Sequence, residues 1–327
     1  MKARHSVRHH HVIAIVAAGV LMGCGSETAA SDVTPLEINR DQLVEQSVVG
    51  AITQPHQANP PLRVAPDGTV KTLPGTGGIT YNFRTGDSAV HMAGDHVEPA
   101  VSIRHGDPGD TANHALNVLS QIGNRVRILD GEAAGAEGRV IGKHGGIENV
   151  MVDFPGAVYD DLVVGDRMQI RVIGLGMEAL NVDNIHLRNM SPDLLHAMTE
   201  RGMGVNEAGQ LRVPVALRIP AKIMGSGLGR NHVATGDYDI QLFDEEVVER
   251  YGLDRLRFGD IVAITDADHK FGRIYRGGAI SIGVVVHGIS RVAGHGPGVT
   301  SLITSPSGNI ELVDDEDMNL INLLPIR

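Results

Sequence analysis

Short apolar runs set the rhythm of this chain. Residues 125–129 (RVRIL), 211–219 (LRVPVALRI) and 238–243 (YDIQLF) place apolar side chains at alternate positions. That is the period of a half-buried strand. Residues 149–154 (NVMVDF), 279–288 (AISIGVVVHG) and 300–305 (TSLITS) also read as strands. The unbroken stretch Ile282 to Val286 predicts burial on both faces. Pro214 cannot donate to a ladder, so part of its run is expected at an edge or a bulge. Helical spacing is scarcer. One helix is predicted over DTANHALNVLSQIGN, capped by Asp110 or Thr111 and stopped at Gly123. A second is predicted over SPDLLHAMTERG, with Ser191 as cap, Pro192 in the first turn and Gly202 as terminator. A third starts at Asp244, carries acids in its first turn and ends at Gly252. Three segments, 93–103, 162–174 and 256–268, repeat a Gly-Asp pair. The last two share Leu-x-x-Gly-Asp-x-(Met/Val)-x-Ile, a turn feeding a strand. The predicted fold is β-rich α+β: a barrel, or paired barrel-like β domains, with a few short peripheral helices.

Composition sharpens this picture. The chain has 327 residues, 42% of them hydrophobic, enough to bury a core in one large or two ordinary domains. Aromatics make up only 3%, tryptophan is absent and the net charge is −11. Stacking platforms need aromatic faces and phosphate backbones need basic surfaces, so a nucleic-acid partner is excluded from the expectations.

The first residues carry a separate signal. Lys2, Arg4 and Arg8 precede the apolar stretch VIAIVAAGVLMG, and Cys24, the chain's single cysteine, follows at once. This is secretory-leader architecture, too short for a stable membrane span. Leu21-Met22-Gly23-Cys24 resembles a bacterial lipobox, which implies lipidation of Cys24. The expectation is a lipid-anchored protein of the bacterial cell envelope, on the extracytoplasmic side, meeting the membrane through that lipid. Loss of residues 1–23 removes three positive charges and no negative ones, taking the net charge to −14. His5 and His9 to His11 would leave with the leader. Residues 24–74 read as a tether and a Pro-rich irregular segment, and 75–327 as a β-rich globular region, open to division into two subdomains near 205.

Candidate chemistry gathers in glycine-bracketed polar clusters near strand ends. GRVIGKHGG fails as a phosphate loop because its spacing is one residue short and His144 replaces the hydroxyl residue. No His-Glu-x-x-His and no Gly-x-Ser-x-Gly occurs. The clusters that remain offer His144, Glu148 and Asp153; Arg230, Asn231, His232, Asp237 and Asp239; Asp266, Asp268, His269, Arg273 and Arg276; and His287 with His295. Imidazole and carboxylate together can hold a divalent metal or form a metal-free general base. His287, His295 and Asp266 are the candidate catalytic groups. His232 and Asp268 are candidate metal ligands. Arg273 and Arg276 would hold an anionic group, and Gly294 and Gly296 would bring backbone amides to a ligand. Plainer readings stand beside these: GHGPG as a tight turn, His287 as a satisfied core histidine.

The C-terminal half, DADHKFGRIYRGGAISIGVVVHGISRVAGHGPGVTSLITSPSGNIE, resembles a family of domains of unknown function numbered 4438, as do HGGIENVMVDFP and LRVPVALRIPAKIMGSGLG. The resemblance covers roughly 75–327 and implies a β-rich fold without implying a catalytic residue. A looser likeness to the acetamidase/formamidase family, carried by glycine-rich strands and Val-Gly-Asp turns, ranks reaction classes by analogy. Together these point to a metal-assisted hydrolase of a small, amide-like substrate, with a divalent metal as cofactor. A non-catalytic small-ligand-binding protein and a structural envelope protein are the alternatives.

Overall fold

The computed structural model describes Met1 and residues 33–326. The rest of the predicted leader, Cys24 and the start of the tether lie outside the described residues. Six strands form a closed barrel: β1 (Gln46–Ile52), β2 (Ala100–Arg104), β3 (Arg125–Ile128), β4 (Glu137–His144), β5 (Asn149–Asp153) and β6 (Arg167–Val172). They pair antiparallel in the order β1-β6-β3-β4-β5-β2. The ring closes where Ala51 and Ile52 meet Arg104 and Ile103. Closure satisfies both edges of the sheet, which an open sheet leaves bare.

β1 lies in the stretch expected to be irregular. Of its residues only Gly50 and Ile52 are buried, so its alternation is weak. Pairing with β6 on one side and β2 on the other holds it extended.

A second layer is an open sheet of β7 (His186–Leu187), β8 (Leu217–Pro220), β9 (Ile261–Asp268), β10 (Ile274–His287) and β11 (Gly298–Ser305), ordered β7-β11-β10-β9-β8. Only the β8–β9 pair is parallel. The run Ile282 to Val286 is buried on both faces, as its sequence predicts. Ile282, Val284 and Val286 join the barrel core, while Val285 joins a second core with Ile240, Phe258, Val262 and Val299. Each such aliphatic side chain contributes roughly 1.5–3 kcal/mol by leaving water. The barrel and sheet approach closely at Gly142 of β4, where a Cβ would lie 2.7 Å from Val286. That contact aligns the C-terminal ends of β4 and β10, where His144 and His287 stand.

Leu211–Val215 pairs with Ile310–Asp314 through its full length but with Gly204–Asn206 only at Leu211 and Arg212, so Pro214 sits on an otherwise open edge. The Gly-Asp device recurs: Asp166 Oδ2 accepts from Val163 N at 3.0 Å and Asp260 Oδ2 from Arg257 N at 2.8 Å, each just before a strand. The helices Pro192–Glu200 and Glu245–Tyr251 are capped as expected, Ser191 Oγ accepting from Leu194 N and Asp244 Oδ1 from Val247 N. The helix Thr111–Leu119 stops short of Gly123, and the Asp110 carboxylate accepts from Asp107 N instead of from the helix. YDIQLF forms no regular strand. Tyr238 and Val299 exchange backbone hydrogen bonds of 2.9 Å, and only isolated bridges follow.

Candidate metal centre

Asp237 and Asp239 are two apart on an extended segment, so both carboxylates leave the same face while Tyr238 turns into the core. Four imidazoles meet them. His287 Nε2 lies 2.6 Å from Asp237 Oδ2 and 3.6 Å from Asp239 Oδ1. His295 Nδ1 lies 3.0 Å from Asp239 Oδ2 and 3.2 Å from His96 Nε2. The His144 ring stacks on His287 with centroids 4.3 Å apart, and His96 lies 5.2 Å from His287. Two groups, His96–Asp239–His295 and His144–Asp237–His287, each bring their ligand atoms within 4.8 Å of one another and could hold a metal ion.

Three of the imidazoles are held from behind. His96 Nδ1 is 2.9 Å from Asp95 Oδ2, His144 Nδ1 is 2.6 Å from Glu98 Oε1, and His287 Nδ1 is 3.0 Å from Gly288 O. An acceptor on Nδ1 fixes ring and tautomer and leaves Nε2 for a ligand, the usual arrangement around metal-binding histidine. The acceptors are themselves anchored. Asp95 takes hydrogen bonds from Ser290 Oγ, Arg291 N and Arg63 Nε. Glu98, fully buried, takes them from Gly77 N, Ser102 Oγ and Asn149 Nδ2. His96 carries a φ of 54°, a left-handed backbone that costs a non-glycine residue on the order of 1–3 kcal/mol.

Charges in the cluster are strongly displaced. Burial alone would raise the carboxyl pKa values of Asp237 and Asp239, but the His287 imidazole outweighs it and both stand below the usual range. Burial likewise opposes ionisation of Glu98 and Asp95, and hydrogen bonds from His144 and His96 overturn it. Burial would lower the His287 pKa, yet Asp237 and Asp239 hold it well above the ordinary histidine value. The hydrogen bond that His295 donates to Asp239 raises its own pKa, whereas burial lowers that of His96. Four buried or half-buried carboxylates around four imidazoles make an electronegative pocket suited to a cation.

The cluster opens into a cavity of about 280 Å3 whose wall also includes Gly145, Ser226, Gly227, Arg230 and Arg273. Gly298 at the start of β11 lies against the ligands: a Cβ there would fall 2.1 Å from Asp237 Oδ2 and 2.2 Å from His287 Nε2. The GHGPG loop fits the same demand. Gly294 O accepts from Ser226 N, and Gly296 N donates to Asp239 Oδ2 at 3.3 Å.

Of the residues singled out from sequence, His287, His295 and Arg273 come together here, with Gly294 and Gly296 shaping the loop. Four others are placed elsewhere. Asp266 occupies a bulge in β9 with φ of 60°, where its Oδ1 accepts from Gly278 N. Asp268 pairs with Arg276 at 3.0 Å on the neighbouring strand, so each neutralises the other away from the cavity. His232 lines a different cavity with Asn231, Lys270 and Phe271. Asp237, Asp239 and His144 stood in the candidate clusters. His96, Asp95 and Glu98 did not. Their signal was the four-residue run Asp95-His96-x-Glu98, which departs from the strand-leading Gly-Asp turns it echoes.

The chain matches the family model described as domain of unknown function (DUF4438), N-terminal, over residues 62–196, and its C-terminal counterpart over 202–324. No curated protein matches it. A solved structure described as "Crystal structure of TM1086" is 41% identical, covers 89% of this chain and 100% of its own, and superposes with a TM-score of 0.83. With both family domains matched in order across residues 62–324, the chain belongs to the family of domains of unknown function DUF4438.

Proposed function

We propose that this protein is a hydrolase of a small, polar, amide-like substrate that uses two divalent cations, one in each His/Asp group. The observation that carries the reading is the set of Nδ1 acceptors. Asp95, Glu98 and Gly288 O engage Nδ1 of three imidazoles, which leaves Nε2 of each as the ligand atom. A core packing role would not need that arrangement. A divalent cation held there by His96, Asp239 and His295, or by His144, Asp237 and His287, would supply an acidified water and a polarised carbonyl. Asp239 stands between the groups, 3.0 Å from His295 and 3.6 Å from His287, and would keep the two sites in register. Metal affinity would fall with acid, because His287 must give up its proton to act as a ligand. A cavity of about 280 Å3 stands at the small end of ligand pockets, which suits a small substrate.

The test is metal content by plasma mass spectrometry on residues 25–327, purified without a histidine tag. That span contains the unit from Asp32 to Arg327 and lacks His5 and His9 to His11, which would bind metal on their own. About two equivalents of zinc, manganese or iron are expected, falling by at least one in His287→Ala. Turnover of small amides should vanish with chelator and return with metal. Failure to retain any of these ions after incubation would overturn the reading. Retention without turnover of any amide would favour a ligand-binding protein.

We also propose that the protein works outside the cytoplasm, anchored by lipid on Cys24. Labelled fatty acid should be incorporated by the wild-type chain and lost in Cys24→Ser. Equal labelling of both would remove the proposal.

A further inference from the structure

Arg273, in the cavity wall, is a side chain that the cation sites leave unexplained. It is fully buried, yet only its Nη2 finds an acceptor, Thr235 O at 3.3 Å. Nε and Nη1 have no hydrogen-bond partner, and among the described residues no carboxylate forms an ion pair with it. Arg276, three residues on, has its acid in Asp268 and reaches solvent. Asp237 and Asp239 act on Arg273 electrostatically, but neither bonds it, and a buried guanidinium with two unbonded donors opposes folding unless an anion meets them. Its neighbour supports that. Arg230 shares the cavity wall and donates Nη2 to Thr235 Oγ1 at 3.0 Å, so the two guanidiniums converge on one residue. Arg230 also forms a longer, part-exposed ion pair with Glu148 at 3.6 Å, which leaves its other donors to the cavity. Gly227, also in the wall, packs against Arg273: a Cβ there would lie 3.5 Å from Arg273 Nη1.

We propose that the cavity wall sets an anion subsite, formed by Arg273 and Arg230, beside the His/Asp cluster, and that the substrate is a small amide bearing a carboxylate. Guanidinium is the side chain best matched to an oxyanion, with planar donors and a permanent charge. The carboxylate would fix the molecule at one end so that its amide carbonyl reaches the cluster at the other. The substrate assignment rests on the hydrolase reading, while the anion subsite stands on Arg273 and Arg230 alone.

The experiment is calorimetric titration of the full chain after chelator treatment, at pH 8, with succinate, neutral succinamide and inorganic phosphate. Succinate should bind and succinamide should not. Arg273→Met and Arg230→Gln should each weaken succinate at least tenfold. Should Arg273→Met fail to fold, Arg230→Gln, at a part-exposed position, carries the test. Absence of succinate binding, or unchanged binding in a folded variant, overturns the subsite. Phosphate binding tenfold tighter than succinate overturns the carboxylate assignment. Anion binding in a protein that retains no metal would sink the hydrolase reading and leave the subsite. Metal retention without anion binding would do the reverse.

Discussion

At the scale of single residues, Glu98 shows how a side chain that touches no substrate can govern a site. One oxygen orients His144, and the other is saturated by Gly77, Ser102 and Asn149. Glu98→Gln would remove the charge and turn an NH2 toward donors. Loss of such an outer acceptor typically weakens metal binding 10–100-fold. Competition with a chromophoric chelator should therefore show a tenfold or larger loss in one of two binding steps. Unaltered affinity in folded Glu98→Gln would deny it that positioning role. Arg273 and Arg276 teach the complementary lesson. They are identical in type and three apart, yet one is paired and exposed while the other is buried and unspent. Sequence made them equal candidates, because the position of Asp268 on the adjacent strand is not a local property.

Elements bring these residues together by their ends. β4 and β10 finish at His144 and His287, and β11 begins at Gly298 against both carboxylate and imidazole. A single methyl at Gly298 has no space, so Gly298→Ala should displace Asp237 or His287 and abolish metal retention in that group. Gly109→Ala, where a Cβ meets nothing within 4 Å, should leave it intact. Full metal content in Gly298→Ala would show that the ligands tolerate the shift. Strands with strong patterns were readable from sequence at this scale: 149–153, 261–268 and 298–305 lie where alternation or continuous apolarity places them. Residues 46–52 were missed because their extended state comes from two neighbours and little from their own burial. Residues 238–243 were over-read, because their period of two serves the aspartates and Tyr238 without building a ladder.

Across the whole molecule, buried titratable groups set the response to pH. His269 is buried, bonded through Nδ1 to Ser301 Oγ at 2.7 Å, and burial pushes its pKa down to about 3. The unfolded chain protonates the same residue near 6.5. Its folded pKa is the lower one, so its contribution is intact above about pH 6.5 and is lost as pH falls toward 3. The slope is one proton, about 1.4 kcal/mol per pH unit. Denaturant melts at pH 7, 5 and 4 should show wild type losing stability faster than His269→Asn, by up to that slope. Parallel losses would show that His269 is not the group responsible. The fold has the means to localise such a change, since His269 packs against Tyr238 between the second core and the aspartate segment.

What the sequence determined by itself was whatever depends on near neighbours: strand periods, the Ser191 and Asp244 caps, the Gly-Asp turns and the β-rich class. These follow from backbone geometry and from the burial of one face, which a window of a few residues records. Only the tertiary structure decided that the barrel closes, since the β1–β2 contact joins residues some fifty apart. It alone also decided which histidines meet. His96, His144 and the pair His287 and His295 come from three separate stretches, and their convergence rests on strand ends brought side by side by a core packed elsewhere. Chemistry at a distance in sequence leaves no periodic trace, because nothing local has to be satisfied until the chain has folded.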